Sequence, residues 1–480
     1  MEPQRQRFWI PAFAGMTTCA GKHPPDQPRL ASRRHWAMPA AILPRSKAVF
    51  RMINALGLLK QRRFLPLFTT QFLGAFNDNL FKTSMVLFAT YAIFNDPKVE
   101  TIFNAVATGI AILPFFLLSA LAGQLADSHD KARIIRIVKT AEIGIMLLGA
   151  GGLMVARAGY PHVGIGLMLG AVLFLGVHST FFGPIKYAIL PQHLKAHDVL
   201  GGTGLVEAGT YLAILMGTIM AGWVPIEGAA ILVLVIAGIG WITARAVPPA
   251  PREGPRLKLN YNPFTASFRL IRTTMHIPRL FLAICAISFF WTIGSVLIII
   301  FPPLVKNVLT ADERVASGAI AIFSVGVAIG SVVINTMLKG RISARYSPVS
   351  VIAMGAFVVL FSFLCRGWTP AAPGHFYDWA QFVAQPRAIP IMLSLLAIAT
   401  TGGMFVVPLY AFLTTTVEKD QTARTVAANN VVNSGAMTLG SIAAIGINVA
   451  GVQAVDMLFL VAAMCLVSAW IAQRLHLACD

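Results

Sequence analysis

Apolar segments of about 20 residues recur along most of this 480-residue chain. A segment of that length spans the hydrocarbon core of a bilayer as an α-helix. Hydrophobic residues make up 56% of the chain and charged residues only 12%, whereas soluble domains carry about 25% charge. The apolar runs are continuous and do not alternate, which excludes the strands of a membrane barrel. The chain is therefore predicted to be an all-α membrane protein.

We predict twelve membrane-spanning helices, called spans 1 to 12 in chain order. Loops rich in Lys and Arg stay on the cytoplasmic side of a membrane. With the N-terminus inside, few basic residues fall outside, so both termini are predicted to be cytoplasmic. The predicted spans are 64–94, 102–124, 134–157, 162–184, 199–222, 226–247, 279–304, 316–338, 348–366, 389–416, 427–450 and 453–473. The basic residues on the outer side are Lys98, Arg157, Lys306, Arg314, Arg366 and Arg387.

The longest internal connection, residues 248–278, is basic and proline-rich, and six predicted spans lie on each side of it. Two six-helix halves that rock about a midplane site are the layout of the major facilitator fold. The predicted domain limits are 61–248 for the N-terminal half, 249–278 for a cytoplasmic linker and 279–480 for the C-terminal half. Residues 1–60 have no periodicity and are predicted to be a disordered or non-native extension.

Span 1 contains four polar residues where a membrane helix is expected to be apolar: Asn77, Asp78, Asn79 and Lys82. A charge at the bilayer centre costs about 2.5–3.5 kcal/mol on insertion scales, so an ionisable residue there is a functional-site hypothesis. Asp78 and Lys82 are four residues apart and can pair on one helical face. The alternative is a structural ion pair that locks two helices together.

Spans 3 and 5 add three more charged residues to the N-terminal half. Lys139 and Glu142 of span 3 share a helical face. Lys139 is expected either to extend to the cytoplasmic surface or to pair with Glu142. Glu207 lies within span 5, so acidic residues outnumber basic ones among the charges inside this half. A zwitterionic substrate could replace the internal pairs.

Span 4 ends in Gly183-Pro184, and Lys186 and Tyr187 follow directly. Pro184 is expected to break the helix, because proline removes a backbone hydrogen bond and clashes with the preceding turn. A cation and a phenol beside a broken helix suit a phosphate headgroup. The alternative is a basic anchor with an aromatic residue at the membrane surface.

The connection after span 2 reads GQLADSHDKARIIR and resembles the loop signature of major facilitator transporters. Gly123 is expected to let two helices approach closely, and Asp127 to cap or pair at the start of span 3. Lys131 and Arg133 are expected to face the lipid headgroups. Asp130 stands where the signature usually has glycine.

The C-terminal half carries few charges within its spans. Its polar candidates are Trp291 in span 7, Tyr410 in span 10 and the asparagines of span 11, Asn429, Asn430 and Asn433. An apolar half beside a charged half suggests an amphipathic substrate with a headgroup and a tail.

Other classes of function have little support. His193 and Asp198 match an acyltransferase H-x4-D pattern, but they lie in a short loop without a surrounding domain, so no enzyme is predicted. The chain has no Walker A sequence, and its five cysteines show no paired spacing. We therefore predict no cofactor and no metal. The net charge is +19, and the basic residues that produce it lie between the spans, as membrane topology requires. The charge therefore does not indicate binding of nucleic acid.

Five stretches together resemble the lysophospholipid transporter (LplT) family of the major facilitator superfamily. They are FLPLFTTQFLGAFNDNLFK, GQLADSHDKAR, STFFGPIKYAILPQHL, GLVEAGTYLAILMGTIMAG and GGMFVVPLYAFL. The resemblance covers about residues 60–475 and is closest to members fused to acyltransferase and acyl-carrier-protein synthetase domains. It implies inward transport of lyso-phosphatidylethanolamine and lyso-phosphatidylglycerol across the bacterial inner membrane for re-acylation. Since the chain ends soon after span 12, a separate acyltransferase or acyl-carrier-protein synthetase is an expected partner, beside the membrane lipids.

The resemblance also implies roles for individual residues. Asp78 and Asn79 match the acidic motif of the family in span 1, Lys186 its Lys-Tyr pair and Glu207 its span 5 glutamate. Tyr410 departs from members that carry Asn after Pro-Leu, which leaves headgroup preference open. We expect a central site of Asp78, Lys82 and Glu207, with Lys139 and Glu142 in support and Lys186 at the cytoplasmic exit. The alternative function is a proton-coupled exporter of small amphipathic compounds, with Asp78 or Glu207 as proton carrier.

Overall fold

The computed structural model describes residues 57–195, 198–252, 261–338, 343–415 and 422–479. The part of the predicted extension that precedes residue 57 lies outside the described residues. Twelve long helices, labelled α1 to α12, account for most of the described chain. Their bounds are Leu65–Phe88, Pro97–Ser128, Lys131–Arg157, Pro161–Ala188, Val199–Trp223, Ile226–Arg245, Pro278–Asn307, Glu313–Met337, Ser347–Arg366, Ala388–Thr415, Thr422–Val449 and Ala454–Cys479. Shorter helical segments are Gly57–Lys60, Ala89–Ile93, Leu190–His193, Pro263–Met275 and Trp379–Val383.

Each predicted span overlaps one of these helices. Within the described chain, 11 helices are long and apolar enough to cross a membrane. The remaining long helix is α1, whose 24 residues are sufficient in length but include the polar run Asn77 to Lys82. It packs against α5 and α6 inside the same bundle. The all-α membrane fold predicted from the apolar segments is confirmed.

The helix–helix contacts among α1 to α6 recur among α7 to α12, with each helix number increased by six. In the first six helices, α1 packs on α5 and α6, α3 on α4 and α6, and α2 on α4. The same contacts recur among the last six, where α7 packs on α11 and α12, α9 on α10 and α12, and α8 on α10. Contacts between the two sets are made mainly by α2 with α11 and by α5 with α8. The protein thus consists of two similar six-helix halves, as the major facilitator layout requires.

The two ends of the bundle are named by their loops. The linker end is where α1 begins and where the segment Pro263–Met275, the linker helix, connects the halves. The distal end is where α1 ends, α2 begins and α7 ends. Aspartates cap helices at both ends: Asp96 accepts a hydrogen bond from the Lys98 backbone N–H, and Asp130 from that of Ala132, each at 2.8 Å.

Proline does not break α4. The helix continues through Pro184 to Ala188, so the predicted break after Gly183 is wrong. Proline residues also lie inside α2, α7 and α10, for example Pro114 and Pro408. Membrane bundles tolerate such residues, because neighbouring helices and hydroxyl side chains compensate for the freed backbone groups. As a result, Lys186 and Tyr187 belong to the last turn of α4 and point into the half.

Candidate functional site

Glu142 of α3 is the centre of a buried polar network in the N-terminal half. Its Oε1 atom accepts a hydrogen bond from Asn77 Nδ2 of α1 at 3.3 Å. Its Oε2 atom forms an ion pair with Lys139 and lies 3.1 Å from Nε2 of His178 on α4. Both Lys139 and Glu142 are almost fully buried. The network joins α1, α3 and α4, so it is placed to hold this half together.

Lys139 extends inward, contrary to one of the two expectations for it. Its ammonium lies beside Gly74 of α1, where an added Cβ would come within 2.5 Å of Nζ. It also lies 5.4 Å from the centre of the Phe182 ring. Lys139 therefore pairs with Glu142 and does not extend to the surface, because both groups face the interior from one side of α3. Gly74 provides the space that the lysine occupies.

Asp78 does not pair with Lys82. Its Oδ2 atom accepts a hydrogen bond from Ser179 Oγ of α4 at 2.8 Å, while Oδ1 is buried without a hydrogen-bond partner among the described residues. Lys82 has neither an ion pair nor a hydrogen bond within that part of the chain. Asn79 Nδ2 donates to the Ala75 carbonyl of its own helix at 2.8 Å. The hydroxyl facing Asp78 from α4 thus replaces the intrahelical pair that the spacing allowed.

Lys186 forms the second polar group of this half. Its Nζ atom donates to Thr210 Oγ1 at 3.3 Å, and that hydroxyl donates to Gln71 Oε1 of α1 at 2.8 Å. Glu207 and Asp78 are the carboxylates that act electrostatically on Lys186. The lysine therefore lies between α1, α4 and α5, in the last turn of α4, and its expected place at the cytoplasmic exit stays a prediction. One cation faces two carboxylates there.

Two tyrosines extend this group toward the other half. Tyr187 donates a hydrogen bond to Glu207 Oε1, and its ring lies 4.9 Å from Lys186 Nζ. Tyr211 lies one turn beyond Glu207 on α5, near both Glu207 and Tyr410 of α10. Tyr211 is 53% exposed. It therefore lies between the charged group of the first half and the polar group of the second.

The C-terminal half brings Trp291 and Tyr410 together. Trp291 Nε1 on α7 donates to the Tyr410 hydroxyl on α10 at 2.7 Å. Asn433 Nδ2 on α11 donates to the same hydroxyl at 3.4 Å, and Ser288 Oγ donates to Asn433 Oδ1 at 2.7 Å. Three helices of this half therefore meet at one uncharged polar cluster beside an otherwise apolar interior.

The connection between α2 and α3 differs from its expected arrangement. Nothing lies within 4 Å of the position that a Cβ would take at Gly123, so the predicted close approach of helices there is wrong. Lys131 is only 6% exposed and does not face headgroups, whereas Arg133 is exposed as expected. The side chain of Asp127 is not among those described.

Asp130 performs the capping that was expected of Asp127. Its Oδ1 atom accepts hydrogen bonds from the backbone N–H groups of Ala132 at 2.8 Å and Arg133 at 3.3 Å. The same oxygen accepts from the Ala250 N–H at 3.2 Å. The residue that departs from the loop signature thus starts α3 and ties it to the segment after α6.

His193 and Asp198, which match the acyltransferase pattern, lie in the connection between α4 and α5. His193 ends a single helical turn and is buried among apolar neighbours that include Leu190 and Leu194. Burial lowers the pKa of the His193 ring. Asp198 lies at the start of α5, and residues 196–197 between them are outside the described chain. A neutral buried ring at a helix end is consistent with a packing role.

Contacts between the halves close the distal end. Lys306 Nζ at the end of α7 pairs with Glu100 Oε1 of α2 at 2.6 Å. It also donates to the carbonyls of Thr90 and Phe94 at 2.5 and 2.7 Å. Asn307 Nδ2 donates to the second oxygen of Glu100 at 2.5 Å. This group, the distal latch, was not predicted because both charges look like ordinary loop residues at span ends.

Further contacts reinforce the distal latch. Tyr91 donates a hydrogen bond to the Ala311 carbonyl at 2.9 Å. A Cβ at Gly222 of α5 would lie 2.1 Å from Ser317 Oγ of α8, so glycine is required where these helices meet.

Four residues in the polar groups of the N-terminal half were also not predicted from the sequence: Gln71, Thr210, Ser179 and His178. Polar residues of these types carry no distinctive pattern within an apolar span.

Comparison with known proteins agrees with this architecture. Residues 67–441 match the family model of the Major Facilitator Superfamily. The chain is 28% identical over 384 residues to "Lysophospholipid transporter LplT" of Cronobacter sakazakii, which covers 78% of this chain and 85% of that protein. It is 24% identical over 363 residues to the protein of the same name from Klebsiella pneumoniae, which covers 74% of this chain and 81% of that protein.

A solved structure shares the fold at low sequence identity. The crystal structure of a POT family transporter in complex with 5-aminolevulinic acid superposes with a TM-score of 0.64 at 10% identity, covering 86% of this chain and 96% of that one. The repeated helix packing, the family match and the named relatives agree. The chain belongs to the major facilitator superfamily, and the relatives described above are named as lysophospholipid transporters.

Proposed function

We propose that this protein carries lysophospholipids, mainly lyso-phosphatidylethanolamine and lyso-phosphatidylglycerol, inward across the bacterial inner membrane for re-acylation. Relatives named as lysophospholipid transporters support the substrate class. The observation that carries the proposal is the Lys186 ammonium inside a helix bundle, where it contacts the Thr210 hydroxyl and is electrostatically coupled to the carboxylates of Glu207 and Asp78. The family match and the named relatives also support a role in transport.

The charged group suits a zwitterionic headgroup. The Lys186 ammonium can bind the phosphate, since its present partner, the neutral Thr210 hydroxyl, is a weak competitor for a cation. The ethanolamine ammonium can bind Asp78, whose Oδ1 atom lacks a partner among the described residues. Lys82, which has no partner in that part of the chain, is a second candidate for the phosphate. Asn77, Glu142 and Lys139 then support the site from behind as a structural network.

The uncharged half suits the rest of the molecule. Trp291 and Tyr410 form a polar cluster that can contact the glycerol hydroxyl, while the surrounding interior is apolar. A single acyl chain requires apolar surface on one side only of its headgroup site. The arrangement therefore fits a lipid with one tail better than a fully polar solute.

The orientation follows from the distribution of charge. Basic residues are concentrated on the connections at the linker end, so we propose that this end faces the cytoplasm together with both termini. The distal latch then faces the periplasm, and the described conformation is closed toward that side. The division at 61–248, 249–278 and 279–480 stays a prediction, and so does docking of a separate acyltransferase or acyl-carrier-protein synthetase.

The test is uptake of labelled lysolipids by spheroplasts with the wild type and Asp78→Asn. We expect uptake of lyso-phosphatidylethanolamine to fall about tenfold or more, because a buried ammonium would lose its carboxylate. Lyso-phosphatidylglycerol lacks the ammonium, so its uptake should fall less. Asp456→Asn, which alters only an exposed pair with Arg366, is the matched control.

The competing function is a proton-coupled exporter, which the unpartnered Oδ1 atom of Asp78 could also support. Efflux of small amphipathic compounds that depends on the proton gradient, with no uptake of either lysolipid by the wild type, would favour it. Normal uptake of both lysolipids by well-folded Asp78→Asn would remove Asp78 from the proposed site.

A further inference from the structure

Lys186 and Glu207 attract each other but do not form an ion pair. Of the two carboxylates coupled to the Lys186 ammonium, Glu207 has the stronger influence and Asp78 the weaker. All three side chains lie in the part of the chain that the structure describes, and the lysine pairs with neither carboxylate there. Opposite charges inside a bundle are expected to approach each other, because their attraction grows as the dielectric constant falls. Other contacts must therefore hold these two charges apart.

Thr210 of α5 holds the lysine. Lys186 Nζ donates to Thr210 Oγ1 at 3.3 Å. The threonine hydroxyl has a single hydrogen, and two acceptors for it, Gln71 Oε1 and the Val206 carbonyl, each lie at 2.8 Å. Whichever acceptor takes the hydrogen, a lone pair of the hydroxyl remains for the ammonium. Thr210 therefore presents an acceptor, and not a donor, to Lys186.

Gln71 anchors this arrangement on α1. Its side chain is only 1% exposed. A Cβ at Gly209 of α5 would lie 3.1 Å from Gln71 Nε2, so the amide is enclosed between the two helices. Because an enclosed amide has little room to turn, the Thr210 hydroxyl keeps an acceptor on the side away from Lys186.

Tyr187 holds the carboxylate. Its hydroxyl donates a hydrogen bond to Glu207 Oε1, and its ring centre lies 4.9 Å from Lys186 Nζ. One side chain thus contacts both charges, with the hydroxyl on the carboxylate and the ring beside the cation. The face of a tyrosine ring attracts an ammonium. Tyr187 therefore gives each charge an uncharged partner in place of the other charge.

We propose that Thr210 and Tyr187 are positioning residues that keep Lys186 and Glu207 from neutralising each other. This inference rests on the proposed function, in which Lys186 binds the headgroup phosphate. A closed ion pair would have to break before the phosphate could bind, and apparent affinity falls with the fraction of molecules in which the lysine is free. Thr210 thus sets the affinity for the substrate through Lys186.

The first test needs no lipid substrate. A carbodiimide joins an amine to a carboxylate in contact with it, and mass spectrometry identifies the linked peptides. The full-length wild type in detergent should give little Lys186–Glu207 product. Thr210→Val should give about tenfold more, because a hydrogen bond to a charged group shifts the balance by about that factor. Tyr187→Phe should also increase the product, Thr210→Ser should restore the wild-type level, and Thr218→Val, at a buried threonine of the same helix, is the matched control.

The second test measures uptake of lyso-phosphatidylglycerol, whose headgroup has no ammonium for Glu207 to bind. Thr210→Val should raise the KM about tenfold and leave the maximal rate nearly unchanged, because saturating substrate draws all molecules into the free-lysine form. Thr210→Val/Glu207→Gln should recover most of the lost affinity, since the stronger of the two carboxylates is then gone. A general packing defect would not be reversed by that second substitution.

Two results would overturn the proposal. Equal crosslinking in the wild type, Thr210→Val and Tyr187→Phe would show that these residues do not separate the charges. Failure of Glu207→Gln to recover the affinity lost in Thr210→Val would show that capture of the lysine is not the cause. Increased crosslinking in Thr210→Val without lysolipid uptake by the wild type would instead overturn the proposed function and support the separated charges.

Discussion

The Nζ atom of Lys306 lies 2.6 Å from Oε1 of Glu100, although 206 residues separate the two in the chain. Both residues are buried, with Glu100 fully inaccessible and Lys306 7% exposed. The pair joins the end of α7 in one half to the start of α2 in the other. Because a rocking transporter must separate its halves at each end in turn, this contact has to break when the distal end opens.

Lys306→Gln is expected to favour opening at the distal end. Removing one partner of a buried pair leaves the other charge uncompensated, at a cost of about 3–5 kcal/mol in the closed form. Ser317 is fully buried at the neighbouring contact with Gly222 and provides a reporter. Labelling of Ser317→Cys by a membrane-impermeant maleimide, in a background without native cysteines, should increase in Lys306→Gln.

Two further variants separate a latch from general damage. Glu100→Gln/Lys306→Gln removes both charges and should label less than Lys306→Gln, because no unpaired charge is left. Arg366→Gln breaks an exposed pair with Asp456 and should leave labelling unchanged. Equal labelling of the wild type and Lys306→Gln would mean that the pair does not control the distal end.

The Glu142 network is expected to act on stability. Glu142→Gln leaves the Lys139 ammonium buried without a carboxylate, so the free energy of unfolding should fall by about 3–5 kcal/mol. Thermal unfolding in detergent measures it, and Glu227→Gln at an exposed pair with Arg157 is the control. If Glu142→Gln keeps the melting temperature but loses uptake, Glu142 instead binds substrate.

The helices could be predicted from sequence because membrane insertion depends on the length and polarity of each segment alone. That is why all twelve long helices overlap predicted spans, even α1 with its polar run. Side-chain partners are different, since they depend on which residues neighbouring helices present. Asp78 accepts a hydrogen bond from Ser179 of α4 and does not pair with Lys82 of its own helix. The sequence of α1 does not show which hydroxyl group α4 presents to Asp78.

Single residue types also predicted local structure poorly inside the bundle. Pro184 suggests a break when α4 is considered alone, yet the helix continues. Lys139 near a helix start resembles a surface lysine, yet Gly74 on another helix opens space for it inside. The sequence marks Trp291 and Tyr410 as separate polar candidates, whereas the hydrogen bond between them depends on the packing of α7 on α10.

His193 should contribute to stability through its neutral form. Burial lowers its pKa below the ordinary 6.5, so acidification protonates the ring in the unfolded chain before it does so in the folded protein. The contribution of the neutral ring to the free energy of unfolding is then fully present above pH 6.5 and is lost as the pH drops below that value. His193→Leu should flatten this dependence in thermal unfolding between about pH 5 and 7 and should keep lysolipid uptake.

An acyltransferase role makes the opposite prediction for the same variant. If His193 were a catalytic base, the purified wild type would transfer acyl groups to lysolipids and His193→Leu would not. His162→Leu, at the distal start of α4, is the matched control for loss of a histidine. A pH dependence of unfolding that is the same in wild type and His193→Leu would show that the ring does not stay neutral in the fold.

Trp291 and Tyr410 should behave as one unit in transport. The Tyr410 hydroxyl accepts from Trp291 Nε1 at 2.7 Å and from Asn433 Nδ2 at 3.4 Å, so Tyr410→Phe leaves two donors without their acceptor. The loss of one such partner costs about 1–3 kcal/mol, which corresponds to roughly 5- to 150-fold in apparent affinity. Because Trp291→Phe removes the other end of the same bond, the double variant should lose little more than Tyr410→Phe. The KM for lyso-phosphatidylethanolamine uptake measures this coupling, and additive losses would mean that the two residues contact the substrate independently.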